Sequence, residues 1–210
     1  KPTGINKAVE EAAFERIIIL DADAVPNIGW GQNMLKAFEE GKMVFSGSID
    51  MSFGNFWMKI YNLSGSHEFL TTNSPQRKKS LPGVNLGFTK EAYRIGGKWD
   101  ETLPRSQDYE WSLRLAQKGL ILWLVPNATV THIPTEQNTF FKVMKSWEKS
   151  GYYNWLIRKK YKDYLHTPNM LFKPSLILLL SPVLALVPTL RILKTSPKYF
   201  IKYFYMLPFV

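Results

Sequence analysis

The chain has 210 residues, which allows one domain of ordinary size and an additional segment. It contains no cysteine, so disulfide frameworks and thiolate metal sites are excluded. The net charge of +10 comes entirely from residues 141–210, which hold 12 basic and two acidic residues, whereas residues 1–140 hold 15 of each. A neutral body with a basic tail favours an anionic membrane surface as partner and argues against nucleic acid.

The first predicted elements are a short helix from Asn6 to Phe14 and a buried strand at residues 17–20. Four branched aliphatic residues in a row are typical of a strand buried on both faces of a parallel sheet. The strand leads directly into Asp21 and Asp23, and α/β sheets bind ligands at the carboxyl ends of their strands. Two carboxylates so spaced can hold Mg²⁺ together with phosphates, or they simply begin a turn. Because this first strand already carries the motif, we expect earlier elements of the sheet to be missing.

The next predicted elements lead to a glycine-rich strand. The pattern predicts a helix that ends at Gly41, a strand over residues 43–49, a helix over residues 55–69 and a polar loop over residues 71–82. In the following stretch PGVNLGF, Gly83, Asn85 and Gly87 mark a strand whose backbone can approach a ligand closely. The alternative for this stretch is a simple β-bulge.

Acidic residues begin the next long helix, predicted from Ser106 to Lys118 with Ser106 as its N-cap. Asp108 and Glu110 lie in its first turn, where carboxylates are ordinarily found as helix caps. Asp108 could instead accept a proton from an incoming hydroxyl, provided that a metal–diphosphate site lies beside it. Just before this helix, Trp99 either stacks on a sugar ring or covers the core.

A histidine follows the last predicted strands, which span residues 120–125 and 128–131. His132 therefore lies at the carboxyl edge of the sheet, where histidine is either a structural hydrogen-bonding residue or a further ligand. With an Asp-x-Asp pair on another strand, imidazole is a suitable ligand for Mn²⁺.

The carboxyl-terminal part is basic and apolar. A helix is predicted over residues 140–160, with a break at Gly151. The 17 residues from Pro174 to Leu190 carry no charge, which is close to the minimum length that spans a bilayer. Pro182 and Pro188 interrupt this segment, and basic residues lie on both sides of it, so we expect an in-plane or re-entrant membrane hairpin. The alternative is a buried helix of a soluble protein, in which two prolines would be costly.

Four motifs, taken in order, resemble the second half of a family-two glycosyltransferase with the GT-A fold. They are IIILDAD, PGVNLGFTKEAYRIGGKWDE, SQDYEWSLRLAQKG and VPNATVTH, and the similarity runs from about Gly4 to Lys160. The stretch KSWEKSGYYNWLIRKK resembles the membrane-associated members that build bacterial surface polysaccharides. The resemblance implies an α/β, Rossmann-like fold, with residues 1–160 as the carboxyl-terminal part of a GT-A domain and residues 161–210 as a membrane-associated tail of apolar helices.

The resemblance also implies roles for individual residues. Asp21 and Asp23 match the D-x-D element that binds metal and donor, Asp108 matches the general base of an inverting transfer, and His132 matches a histidine that completes the metal site. Asn85 is a further donor-binding candidate, and the acceptor-binding candidates are Trp99, Asp100 and Glu110. The implied cofactor is Mn²⁺ or Mg²⁺. The implied partners are a nucleotide-diphosphate sugar and a saccharide or lipid-linked acceptor, bound at the cytoplasmic face of the cell membrane.

One departure from the family leaves two alternatives open. Family members begin with a βαβα unit that holds the nucleotide base, and this sequence shows no counterpart. A membrane-attached remnant or scaffold that no longer binds a donor is therefore one alternative. The other is a phosphatase of the haloacid-dehalogenase type, because Asp21-Ala22-Asp23-Ala24-Val25 resembles its nucleophile loop. That reading leaves SQDYEW and GGKWDE unexplained.

Overall fold

The computed structural model describes residues 1–70, 74–173 and 186–195, together with 175–176, 179–180, 183 and 201. The strands are β1 (Arg16–Leu20), β2 (Ala24–Pro26), β3 (Val44–Asp50), β4 (Gln76–Lys78), β5 (Asn85–Thr89) and β6 (Leu122–His132). The α-helices are α1 (Pro2–Glu11), α2 (Trp30–Glu39), α3 (Phe56–Ser66), α4 (Lys90–Gly96), α5 (Gln107–Gln117), α6 (Phe140–Lys160) and α7 (Leu186–Thr195). Short 3₁₀ helices cover His67–Phe69, Thr135–Gln137 and Asn169–Phe172.

The strands form one mixed sheet in the order β1-β5-β3-β6-β2, with β4 also paired to β6. Strand β5 is antiparallel to both of its neighbours, β1 and β3, whereas β3 and β6 are parallel. Strands β1, β3 and β6 therefore run in the same direction, and their carboxyl ends meet at one edge of the sheet. We call this the carboxyl edge, and it is where Asp21 and His132 were expected to lie together.

The prediction that the first strand is buried on both faces is wrong. Strand β1 lies at the end of the described sheet and pairs with β5 in an antiparallel ladder. Its two end residues are exposed and Ile17–Ile19 are only half-buried. Aliphatic content marks the apolar faces of a strand but does not reveal how many neighbours it has, which is why the pattern was misleading here.

The apolar core lies against this sheet and is centred on aromatic side chains. The rings of Trp99 and Trp111 stack with centroids 5.1 Å apart, and Phe88 meets Trp111 edge to face at 5.0 Å. Both tryptophans are almost fully buried. Aromatic pairs at these distances add to the stabilisation from burial alone.

A glycine allows the three central strands to approach one another. A Cβ added to Gly47 would lie 1.9 Å from the carbonyl oxygen of Ala128 and 2.2 Å from Nδ2 of Asn85. The register of β3 against β6 also shifts between Gly47 and Ile49, as it does at a β-bulge. The close approach of the strands thus requires glycine at this position.

Two compact units divide the chain. One contains residues 1–53 and 69–133, which include the sheet, and the other contains residues 54–68 and 134–210. In the second unit, α3 packs against α6, and Nε1 of Trp147 donates a hydrogen bond to Oγ of Ser64 at 2.9 Å. These two units are defined by packing alone. The predicted boundary after residue 160, between a GT-A domain and a membrane-associated tail, concerns function and stays a prediction.

The carboxyl-terminal helices differ in part from expectation. Helix α6 runs without interruption from Phe140 to Lys160, so the expected break at Gly151 is wrong. Within the described ranges, none of the helices is both long enough and apolar enough to cross a bilayer. Much of the uncharged Pro174–Leu190 segment, including Pro182, lies outside the described residues, so the expected membrane hairpin stays a prediction.

Candidate active site

Asp21 and Asp23 lie in the turn between β1 and β2, at the carboxyl edge. The N–H of Asp21 donates to the carbonyl of Val84 at 3.1 Å, and the N–H of Ala24 donates to the carbonyl of Asp21 at 3.0 Å. The carbonyl of Asp23 accepts a hydrogen bond from Ile133 at 2.9 Å. The two aspartates thus do begin a turn, and the same turn presents both half-buried carboxylates at the edge where ligands bind in α/β sheets.

The register of β2 against β6 brings Asp23 to His132, because Ala24 pairs with His132. Oδ2 of Asp23 lies 3.5 Å from Nε2 of His132, with the imidazole buried and the carboxylate 40% exposed. Hydrogen bonding from His132 is the largest influence on the pKa of Asp23 and lowers it below the ordinary value, against the opposing effect of burial. Asp23 is therefore held in its charged form beside an imidazole, and these two ligand types suit Mn²⁺.

Asp21 has a different partner. Its carboxylate pairs with the ammonium group of Lys1, and both side chains are partly exposed. In the part of the chain that the structure describes, no group of three or more His, Asp or Glu side chains is close enough to hold a metal ion. The structure thus brings together two of the three predicted metal ligands, Asp23 and His132, while Asp21 faces a lysine.

Asp108 is held at the start of α5 by two backbone groups. Its Oδ2 accepts from the N–H of Gly83 at 2.8 Å, and its Oδ1 accepts from the N–H of Tyr109 at 2.9 Å. The expected N-cap Ser106 makes no side-chain cap and has a left-handed backbone with φ 58°. Since Gly83 binds Asp108 and the next residue, Val84, binds Asp21, one loop ties both acids to the same edge.

Asn85 is fully buried and cross-links the strands. Its Nδ2 donates to the carbonyls of Ala128 at 2.8 Å and Ser48 at 3.3 Å, and its Oδ1 accepts from Nε1 of Trp30 at 2.9 Å. The side chain is 0% exposed. The structure therefore gives Asn85 a structural role in place of the expected donor contact, because its amide is directed into the sheet.

The three acceptor-binding candidates also have structural partners. Trp99 is 1% exposed and stacks on Trp111, so its ring covers the core, which was the alternative to sugar stacking. Glu110 is 1% exposed and its Oε2 accepts from Nε of Arg114 at 3.0 Å. Asp100 accepts from the N–H of Thr102 at 3.0 Å and from its hydroxyl at 2.6 Å. The expectation of acceptor binding is thus corrected for Trp99 and Glu110, which are buried, whereas Asp100 remains partly exposed.

Sequence reasoning missed Asp50, which lies at the same edge of the sheet. Asp50 is the last residue of β3 and pairs in register with Thr131, the residue before His132. Its carboxylate accepts from the N–H of Ser52 at 2.9 Å and from its hydroxyl at 2.7 Å. The signal was available, because an aspartate directly follows the second predicted strand just as one follows the first.

The comparisons with known proteins identify the fold. No protein-family model and no curated protein matches the sequence. A mannosyltransferase from Pyrobaculum calidifontis, PcManGT, solved with GDP-Man and Mn²⁺, matches 99% of this chain and 63% of its own, with 16% identity and a TM-score of 0.55. GalNAc-T7, solved with UDP, GalNAc and Mn²⁺, matches 62% of this chain and 29% of its own, with 17% identity and a TM-score of 0.48.

The likeness to the mannosyltransferase confirms the coarse fold prediction. The chain has a mixed α/β fold that resembles the GT-A glycosyltransferases, as the mannosyltransferase comparison shows over nearly its whole length. At the same time the chain spans less than two thirds of either solved structure.

Proposed function

We propose that the chain belongs to a metal-dependent glycosyltransferase that moves a sugar from a nucleotide-diphosphate donor to an acceptor hydroxyl with inversion. The observation that carries this proposal is the carboxyl edge of a GT-A-like sheet, where Asp23 meets His132 at 3.5 Å. The loop that binds Asp21 also binds Asp108 at this edge. A metal-binding pair and a separate carboxylate are the parts that such a transfer needs.

Asp23 and His132 would hold the metal ion, and Asp21 would contact the metal or the donor ribose. When bound, Mn²⁺ or Mg²⁺ would balance the negative charge of the donor diphosphate. The lowered pKa of Asp23 supports this role, because the carboxylate stays charged without a metal. The mannosyltransferase that shares the fold was solved with GDP-Man and Mn²⁺, which also supports a nucleotide-sugar donor.

Asp108 would act as the general base. Hydrogen bonds from Gly83 and Tyr109 fix both carboxylate oxygens, so the group is held in one orientation. A carboxylate can accept about four hydrogen bonds, which leaves lone pairs for the proton of an acceptor hydroxyl. Removal of that proton makes the acceptor oxygen a stronger nucleophile toward the anomeric carbon.

The proposal also covers the acceptor and the cellular location. We infer a growing or lipid-linked surface saccharide as acceptor, used at the cytoplasmic face of the cell membrane. Support comes from the basic residues 141–210 and the uncharged Pro174–Leu190 segment, a composition suited to an anionic lipid surface.

A second candidate function is a scaffold that keeps the fold but binds no donor. It is favoured by the pairing of Asp21 with Lys1 and by the lack of a three-ligand cluster among the described residues. The phosphatase alternative has less support, since the solved structure that carries the likeness is a glycosyltransferase.

Titration calorimetry with Mn²⁺ and a panel of nucleotide sugars separates these candidates. We expect binding of a nucleotide sugar that requires Mn²⁺ and is lost in Asp23→Asn but kept in the exposed control Asp163→Asn. When an acceptor saccharide is also supplied, proton NMR of the glycosylated product should show an inverted configuration at the anomeric carbon of the transferred sugar. Unchanged binding by Asp23→Asn would contradict the metal site, and binding of no nucleotide sugar by the wild-type chain would favour the scaffold. Release of phosphate from p-nitrophenyl phosphate would favour the phosphatase.

A further inference from the structure

A short segment just before β5 contacts two acids of the candidate site. The N–H of Gly83 donates to Oδ2 of Asp108 at 2.8 Å, and the carbonyl of Val84 accepts from the N–H of Asp21 at 3.1 Å. We call residues 81–84 the linking segment. The positions of both acids therefore depend on where this segment lies.

The first residue of the linking segment is held by a serine of α5. The N–H of Leu81 donates to Oγ of Ser112 at 3.0 Å, and the hydroxyl of Ser112 donates back to the carbonyl of Leu81 at 3.4 Å. A hydroxyl group has one donor and two acceptor sites, so this one side chain pairs both backbone groups of Leu81. Both residues are 2% exposed, so water has little access to these hydrogen bonds.

The backbone between Ser112's contact and Gly83 has few conformations. A residue that precedes proline is largely restricted to extended backbone, and this applies to Leu81. The ring of Pro82 then fixes its own φ angle at about −65°. Holding Leu81 in place therefore largely determines the position from which Gly83 donates to Asp108.

Helix α5 contacts the linking segment at two points. Asp108 and Ser112 are four residues apart, so they lie on the same face of the helix. The side chain of Leu81 also belongs to the apolar core cluster that contains Trp111 and Leu115. The alternative is therefore that core packing alone positions the segment and that Ser112 only pairs buried backbone groups.

We propose that Ser112 is a positioning residue, which holds the linking segment so that Gly83 binds Asp108 and Val84 binds Asp21. Its effect on sugar transfer rests on the proposed function, in which Asp108 accepts a proton and Asp21 contacts the metal or the donor. Ser112 acts through the segment, because its hydroxyl is paired with the backbone of Leu81. General-base catalysis depends on the position of the base, so a small displacement of Asp108 lowers the rate.

Amide hydrogen exchange, measured by NMR on the full chain without donor, tests the positioning directly. In Ser112→Ala we expect the amides of Gly83 and Asp21 to exchange about tenfold faster, which is the factor expected for the loss of one hydrogen bond. The amide of Gly97 donates to the carbonyl of Tyr93 in α4 and should keep its wild-type rate. A general loss of stability would instead accelerate all three amides.

Further variants separate the hydroxyl group from the space that it fills. Ser112→Thr keeps the hydroxyl and should restore slow exchange at Gly83. Ser112→Cys keeps the size but has a weaker hydrogen-bonding group, so it should give intermediate rates. Ser146→Ala removes a buried serine from α6 in the other unit, and this matched control should leave the exchange of Gly83 unchanged.

A kinetic measurement tests the consequence for the reaction. It uses Mn²⁺ and the nucleotide sugar that the calorimetric panel selects, with water as acceptor and release of nucleoside diphosphate as the signal. We expect kcat of Ser112→Ala to fall about tenfold and Ser112→Thr to restore it. Donor affinity should change less than kcat, because pairing of β2 with β6 brings Asp23 to His132 independently of the linking segment.

Three results would overturn the inference. Exchange in Ser112→Ala could remain slow at Gly83, or it could accelerate equally at Gly83 and Gly97, and either result would leave the positioning to core packing. Faster exchange at Gly83 with unchanged kcat would show that the reaction does not depend on the segment. If the wild-type chain releases no nucleoside diphosphate, the proposed function fails, whereas the exchange rates still decide whether Ser112 positions the two acids.

Discussion

At the scale of single residues, the pair formed by Asp23 and His132 links strand register to chemistry. The carboxylate comes from the β1–β2 turn and the imidazole from the last position of β6, so the pair exists only if β2 and β6 are in register. The pKa of Asp23 is lowered chiefly by hydrogen bonding from His132. A lowered pKa in the folded protein means that the interaction stabilises the fold when Asp23 is charged and is lost as the pH falls through the folded-state value.

Replacing His132 by glutamine should therefore raise the pKa of Asp23 toward the ordinary aspartate value. Carbon-13 NMR titration of the aspartate carboxyl groups measures this directly, with His166→Gln as a control in the other unit. The stability difference between wild type and His132→Gln should shrink as the pH falls below the ordinary aspartate range and through the lowered pKa of Asp23 in the wild type, where the carboxylate becomes protonated in both proteins. An unchanged Asp23 titration in His132→Gln would show that the pair is not coupled.

Asp108 allows a test that separates a capping role from a catalytic role. In Asp108→Asn the side-chain oxygen can still accept from Gly83 or Tyr109, whereas the proton-accepting carboxylate is lost. Loss of a capping interaction costs about 1 kcal/mol, whereas loss of a general base lowers turnover about 10²–10⁴-fold. We expect Asp108→Asn to fold and to lose turnover by this factor. Urea unfolding measures its stability, and the transfer rate is compared with that of the wild-type protein. A stable variant with normal turnover would return Asp108 to a capping role.

At the scale of elements, one buried polar side chain links helix α1 to the rest of the sheet unit. Nδ2 of Asn6 donates to the carbonyl of Trp99 at 3.0 Å and to Glu101 at 2.8 Å. Its Oδ1 accepts from the N–H of Trp99 at 2.9 Å and from the hydroxyl of Tyr93 at 3.0 Å. A single amide thus satisfies several buried groups of the loop that contains GGKWDE.

We expect Asn6→Ala to destabilise the fold by roughly 2–5 kcal/mol, because each buried polar group left unpaired costs about 1–3 kcal/mol. Lys7→Ala, at an exposed position on the same helix, should change stability little. Urea unfolding monitored by tryptophan fluorescence measures both. Equal stabilities of the two variants would mean that α1 contributes little through Asn6.

The elements also show where sequence patterns were sufficient. Strand β3 and helix α5 lie within about one residue of their predicted bounds, because aliphatic runs and glycine stops act locally. Strand β6 was predicted as two pieces separated by Pro126 and Asn127, which usually form a turn. In the structure the strand continues through them, with Asn127 at φ 70° opposite the register shift in β3, so a bulge accommodates both residues.

The candidate site was predictable from the sequence only where it depends on the ends of strands. That Asp23 and His132 lie close together was predictable because both follow strand ends, and the ends of strands that run in the same direction meet at one edge. The inward direction of Asn85 depends on the close approach at Gly47, a contact between strands that are distant in sequence. The pairing of Lys1 with Asp21 spans 20 residues and follows no local pattern.

At the scale of the whole molecule, the net positive charge is concentrated in one part of the chain. Residues 1–140 are neutral and contain the candidate active site, whereas residues 141–210 carry the net charge of +10. Exposed apolar side chains also recur in the described part of this basic segment, at Phe141, Tyr152, Leu186 and Leu190. Under the proposed function, the neutral body would supply the transfer chemistry and the basic segment would supply the contact with anionic lipid.

This arrangement predicts that the basic residues before and after the uncharged segment lie on the same side of the membrane. Arg158, Lys159, Lys160, Lys162 and Lys173 precede the segment, and Arg191, Lys194, Lys198 and Lys202 follow it. Short loops rich in lysine and arginine stay on the cytoplasmic side, so a single span would place one of these groups on the unfavourable side.

Single cysteines at Lys162 and Lys194, both exposed, can be labelled in sealed inside-out vesicles with a membrane-impermeant maleimide. We expect both positions to react before the vesicles are opened and neither to react in intact cells, with detergent-opened vesicles as the control for full reactivity. Reaction of the two positions from opposite sides would establish a spanning segment and contradict the hairpin.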